Sequence, residues 1–333
     1  MMRAKGYLEA AVVCLAAAVA AGCGDSGTGP AAPAPNSVRL ESDPGDFIGQ
    51  GETYNYTSAN AVISVSASAG HLTIGVSGDE SWHGEFQMPS GAPRIAPGTY
   101  ANLERFPFHD PAEGGLSWSG EGRGCNTLVG SFTVDSVRYA GDTLTAIDMR
   151  FEQHCEGGTP ALEGTVHWRR GDVTRPPGPA AIPGNLWRPP TGSTPATGDF
   201  VYLASDAGDF IGQGLTYTYT PANATINASS SGGRLTVTVN GVQDWVADFQ
   251  TMNTISRLQA GYYPDLSRFP FHNPAKGGFS WSGEGRGCNT LTGWVAIDRV
   301  TYSGNTLTGL EMRFEQHCEG GAPALRGAIR WDA

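Results

Sequence analysis

Apolar and polar residues alternate along most of this chain with a period of two. Leu72, Ile74 and Val76 alternate with Thr73, Gly75 and Ser77, and Leu235, Val237 and Val239 repeat the pattern later. Ile147, Met149, Phe151, Gln153 and Cys155 fall on one face of an extended segment; Asp148, Arg150, Glu152 and His154 fall on the other. Phe132, Val134 and Ser136 alternate with Thr133, Asp135 and Val137. This alternation predicts half-buried antiparallel strands. Ala140-Gly141-Asp142, Ser231-Gly232-Gly233 and Ser303-Gly304-Asn305 supply turns between them. No stretch carries a 3.6-residue period with caps.

The pattern is written twice. Residues 38–170 align without a gap to residues 201–333 at a constant offset of 163, with 77 of 133 positions identical. GDFIGQG (45–51), RFPFH (105–109), SWSGEGRGCNTL (117–128) and MRFEQHCEGG (149–158) all recur in the second copy. A repeat of this length is a domain-sized unit. Each copy is expected to hold eight or nine short strands. The fold class is therefore all-β: two tandem antiparallel β-sandwich modules, of jelly-roll or immunoglobulin-like type.

Five segments follow: a signal peptide at 1–22, a flexible tether at 23–37, module 1 at 38–170, a Pro-rich linker at 171–199 and module 2 at 200–333. The linker carries Pro176, Pro177, Pro179, Pro183, Pro189, Pro190 and Pro195. Its composition predicts a semi-rigid extended spacer, with Trp187 able to dock on a module. At the N-terminus, Arg3 and Lys5 precede an apolar run from Ala10 to Ala21. The run is too short to span a bilayer, which takes about 20 residues, and suits a signal sequence. It ends Val19-Ala20-Ala21-Gly22-Cys23, which resembles the lipobox of bacterial lipoproteins. That resemblance implies diacylglycerol on Cys23 and a lipid-anchored protein on the exported face of the bacterial cell envelope. A membrane is then a partner through the lipid alone.

Composition narrows the partners. Glycine accounts for 47 residues, proline for 22, and charged residues for only 16%, which suits short strands and turns rather than long surface helices. A net charge of −11 excludes nucleic acid as the expected ligand. The charge is uneven: module 1 holds 8 basic and 17 acidic residues, module 2 holds 9 and 11. A strongly charged ligand bound alike by both copies is not expected. Beyond Cys14 and Cys23, each copy has two cysteines, Cys125 with Cys155 and Cys288 with Cys318. An even pair repeated at one spacing in an exported chain predicts a disulfide in each module. A zinc site needs more ligands than these pairs provide, and no metal or cofactor is expected.

The ordered strings GDFIGQG, RFPFH, SGEGRGCNTL and FEQHCEGG resemble a recurring module of exported bacterial proteins, often found beside immunoglobulin-like or other surface modules. The resemblance covers both copies. It implies a β fold and an exported location, and carries over no catalytic residue.

A disulfide would bring Glu121, Arg123 and Asn126 near Glu152, His154 and Glu156. Glu121, Arg123, Glu152 and His154 are the candidate ligand-binding residues of module 1; Glu284, Arg286, Glu315 and His317 are those of module 2. Carboxylates with a histidine can perform acid–base chemistry, and a carboxylate pair can serve a glycosidase. The same groups can equally form an ion-paired network. Asp43 and Asp46 suit calcium or Asx turns. Trp82, Trp118 and Trp168 with their counterparts Trp245, Trp281 and Trp331 suit a sugar face or a β core. No G-x-S-x-G elbow occurs. A passive surface or architectural role is favoured, with binding of a glycan or an extracellular protein as the alternative and a glycan-acting hydrolase second. No catalytic residue is assigned.

Overall fold

The computed structural model describes residues 34–333. The signal sequence and Cys23 lie outside them. Module 1 comprises β1 (Ser37–Ser42), β2 (Thr53–Thr57), β3 (Val62–Ser68), β4 (His71–Ser77), β5 (Ser81–Gln87), β6 (Gly98–Arg105), β7 (Gly115–Gly120), β8 (Leu128–Ala140), β9 (Thr143–Cys155) and β10 (Leu162–Arg169). Module 2 repeats them as β11 (Phe200–Ser205), β12 (Thr216–Tyr219), β13 (Thr225–Ser231), β14 (Arg234–Asn240), β15 (Trp245–Gln250), β16 (Gly261–Arg268), β17 (Gly278–Gly283), β18 (Leu291–Ser303), β19 (Thr306–Cys318) and β20 (Ala324–Asp332). Each module thus has ten strands rather than eight or nine. The extra ones are short edge strands such as β2 and β12, whose brief alternation blends into flanking turns. No helix forms among the described residues.

Each module is one mixed sheet in the order β2-β1-β10-β9-β8-β6-β7-β5-β4-β3, repeated strand for strand in module 2. All pairings are antiparallel except β6 with β7 and β16 with β17. The sheet rolls until it is nearly barrel-shaped. Tyr54 on β2 meets Trp82 on β5 edge to face at 4.9 Å, and Trp82 Nε1 donates to Tyr56 Oη at 2.8 Å. Rolling places the inward residues of every strand in one core, including Leu40, Ile74, Phe86, Trp118 and Phe151. Small residues make room for rings inside. A Cβ at Gly164 would stand 2.1 Å from the Phe151 ring, so only glycine fits there.

The two cores are packed differently. Phe132 of module 1 meets Phe86 at 5.4 Å. Module 2 has Val295 in place of Phe132, and there Tyr263 is fully buried with its ring 4.9 Å from Phe249. One large ring replaces another, as dense packing requires.

The strict alternation expected at Ser136 fails. The β8–β9 register shifts between Val134 and Ser136, and a β-bulge reverses the phase. Ser136 then turns outward to donate to Asp148, while Val137 packs against the core.

The Pro-rich segment does not stand free. Ala180 forms a two-way backbone bridge with Tyr262, and Trp187 stacks on Tyr202 at 6.4 Å. Arg313 donates to the Trp187 carbonyl, and Arg330 to the carbonyls of Pro195, Ala196 and Gly198. Phe200, Tyr202 and Ala328 form a small apolar cluster beneath Trp187. Module 1 has Ser37, Arg39 and Thr165 at the corresponding positions. The copies therefore differ in polarity where one face is covered by the linker and the other meets water.

Candidate functional site

The repeated strings converge at one end of each module. The GDFIGQG loop between β1 and β2 is tied to the loop after β7 by Arg123, whose Nε donates to the Ile48 carbonyl at 2.7 Å. The RFPFH turn after β6 is tied to the same loop by Arg105, whose Nη1 donates to the Asn126 carbonyl at 3.1 Å. The loop after β9 joins them through Glu156, which accepts from the backbone of Asn126 at 2.5 Å. Cys125 and Cys155 stand at bonding distance with Cα atoms 5.1 Å apart; Cys288 and Cys318 repeat this at 5.0 Å. Gln50, Glu121 and Glu156 adopt positive φ here, as do Gln213, Glu284 and Glu319. Non-glycine residues rarely do so.

The predicted polar cluster is present at this end, but its groups are taken up by backbone or by one another. Glu121 accepts from the Ser81 N–H at 2.7 Å, and Glu284 from Asp244 N–H at 2.8 Å. The Arg123 guanidinium lies over Trp82, and that of Arg286 over Trp245. Glu152 pairs with His154 at 2.8 Å on the outer face of β9, raising the His154 pKa through that hydrogen bond. Glu315 is shared between His317 and Arg326. Glu156 sits below the usual carboxylate range because backbone N–H groups donate to it. Asp46 accepts from Ser42 and the Gly49 N–H, and Asp43 from the Ala161 N–H. Asp46 thus closes its own turn, and Asp43 ties the loop to the segment that leads into β10. Among the described residues no group of three or more His, Cys, Asp or Glu is placed to hold a metal ion.

The tryptophans belong to the core. Trp82, Trp118, Trp168, Trp245 and Trp281 are buried. His109 and His272 stack on Phe106 and Phe269. A Cβ at Gly115 would stand 2.5 Å from the His109 ring, so that glycine admits the imidazole. Burial holds the His272 pKa below its ordinary value.

What the end exposes are phenylalanines. Phe47 and Phe210 are 54% and 57% exposed; Phe108 and Phe271 are 73% and 76% exposed. The Arg105 guanidinium lies 5.1 Å from the centre of the Phe108 ring, and Arg268 repeats this over Phe271 at 5.1 Å. Beside Arg105 and Arg123, Ser81, His83, Ser117 and Ser119 line a shallow concavity of about 570 Å³. No carboxylate lines it. These rings were not singled out from sequence. Their signal was a pair of apolar neighbours inside a turn, Phe47 beside Ile48 and Phe106 and Phe108 on either side of Pro107, where only one of the two can face the core.

Comparison with family models, with curated proteins and with solved structures finds no match.

Proposed function

We propose that this is a lipid-anchored protein of the bacterial cell envelope whose two module ends bind envelope or extracellular glycan. The observation that carries this reading is the pair of exposed phenylalanines repeated in both modules, one of each pair lying against the same arginine. The copies differ at 56 of 133 positions, yet both rings, with Arg105, Ser117, Ser119 and Arg123, have identical counterparts. Exposed rings add little to folding, so their natural use is contact with a partner. Tandem placement favours binding, because a second linked site raises avidity through effective concentration. In module 1 no carboxylate lines the concavity, which speaks against acid–base hydrolysis there. Its shallow, polar walls suit a flexible polymer more than a deep-bound small molecule.

The passive architectural role is supported by a different observation: Glu121, Arg123 and Glu156 all hold loops through hydrogen bonds to backbone. The rolled sheet itself is read here as a sandwich of the jelly-roll or immunoglobulin-like kind. Supporting this, Trp118 on β7 stacks on Phe151 of β9 at 4.9 Å, so the two halves of the sheet pack across one core.

Two tests follow. Labelled palmitate should enter the full chain expressed in a lipoprotein-processing bacterium and should be absent from Cys23→Ser; equal labelling of both would remove the anchor. For the ligand, a glycan array and an envelope pull-down should retain the soluble chain. The variant Phe47→Ser, Phe108→Ser, Phe210→Ser, Phe271→Ser should lose retention with its melting temperature unchanged. Retention of the variant on the same ligand would point to another surface, and capture of proteins alone would replace glycan as the partner class.

A further inference from the structure

Between Arg105 and Leu128 the two copies are identical at all but three positions: Asp110 against Asn273, Glu113 against Lys276, and Leu116 against Phe279. Leu116 and Phe279 are both buried core residues. The other two differences lie in one turn and have a single structural correlate. Asn273 Nδ2 donates to the Asn60 carbonyl of module 1 at 2.9 Å and to Asp79 Oδ1 at 3.1 Å. Lys276 Nζ donates to Asp79 Oδ2 at 2.8 Å. Asn273 and Ala275 are buried in consequence, whereas Asp110 and Ala112 are exposed. Asp79 is itself a difference between the copies, since its counterpart is Val242, which is 95% exposed.

We propose that the Asn273–Lys276 turn and Asp79 form a one-way latch that fixes module 2 on module 1, and that divergence at these three positions limits the latch to a single pairing. The contact is heterologous, because one module offers the turn and the other the receiving acid. Identical copies bearing both halves would propagate it from molecule to molecule into an open chain. Here both free ends are mismatched. Asp110 and Glu113 are acceptors where donors are needed, and Val242 supplies no acceptor. An exposed Lys–Asp pair is weak by itself. The linker makes the encounter intramolecular, and a high effective concentration lets a weak contact hold.

The test uses the soluble chain carrying Cys23→Ser, with spin labels on Thr143→Cys and Thr306→Cys, exposed positions at equivalent hairpins of the two modules. Double electron–electron resonance should give one narrow distance distribution. Asp79→Val and Lys276→Glu each import the other copy's residue, and each should broaden the distribution without lowering either module's melting temperature. The exchange Asp79→Lys with Lys276→Asp should narrow it again. A broad distribution in the unsubstituted chain, narrow distributions in both single variants, or an exchange that stays broad would each overturn the latch.

Discussion

Gln153→Leu is expected to unfold module 1 under conditions in which module 2 stays native. Gln153 is fully buried in the core, and its amide bonds the main chain of β7 in both directions. The Trp118 N–H donates to Gln153 Oε1 at 2.8 Å, and Gln153 Nε2 donates to the Trp118 carbonyl at 2.9 Å. The need arises from the topology. β6 runs beside β7 only at Gly115 and Leu116, so the next residues of β7 lose their neighbour strand on that side. Gln153 reaches from β9 to fill the missing ladder. Leucine matches its volume but leaves a buried donor and a buried acceptor unpaired, each costing about 1–3 kcal/mol. A total of about 2–6 kcal/mol is a large part of a typical domain stability of about 5–15 kcal/mol. Hydrogen exchange read peptide by peptide should show protection lost throughout residues 38–170 and retained in 200–333. Gln316→Leu should give the mirror result, since Gln316 bonds Trp281 in the same way. Unchanged protection in module 1 would mean that water or a backbone shift satisfies Trp118.

Cys155→Ser is the second large effect. The bridge from Cys125 to Cys155 closes a loop with a sequence separation of 30. Chain-entropy arithmetic gives such a loop roughly 3.5–4 kcal/mol of stabilisation. It also pins the turn that Arg105, Arg123 and Glu156 hold by hydrogen bonds. The melting transition of module 1 should therefore fall markedly, and Phe108 and its loop should gain hydrogen exchange before the core does. Module 2 keeps Cys288–Cys318 and should be unaffected. Equal stability of Cys155→Ser and the unsubstituted chain would show that the loop is held by its hydrogen bonds alone.

Particular residues show how far the sequence is legible. The face of β9 carrying Ile147, Met149, Phe151 and Gln153 reads directly from period two, because side-chain direction in a strand is local. The cysteine pairs and the internal repeat read as easily. The bulge at Asp135 does not, since it shifts the register between two strands without leaving a mark in composition. The parallel approach of β6 and β7 depends on how a whole turn folds back, and the purpose of Gln153 is invisible without it. At the module end, Glu121, Arg123 and Glu156 were legible as a cluster, because the disulfide implies it. Their attachment to backbone N–H and C=O groups was not, because main-chain atoms leave no signature in sequence. Phe47 and Phe108 were hidden for a related reason: an aromatic in a turn is assumed to be packed until its neighbour, Ile48 in one case, is seen to take the inward place.

The most direct test of the binding account is a titration of the glycan ligand, immobilised from the array, against three soluble chains. With the chain intact, both module ends engage. Phe47→Ser with Phe108→Ser removes one end and should weaken retention by about 10²-fold or more, the avidity of the lost linked site. Adding Phe210→Ser and Phe271→Ser should abolish it, with all three chains melting alike. Equal affinity across the three would contradict the claim that the phenylalanine-bearing ends are the binding surface.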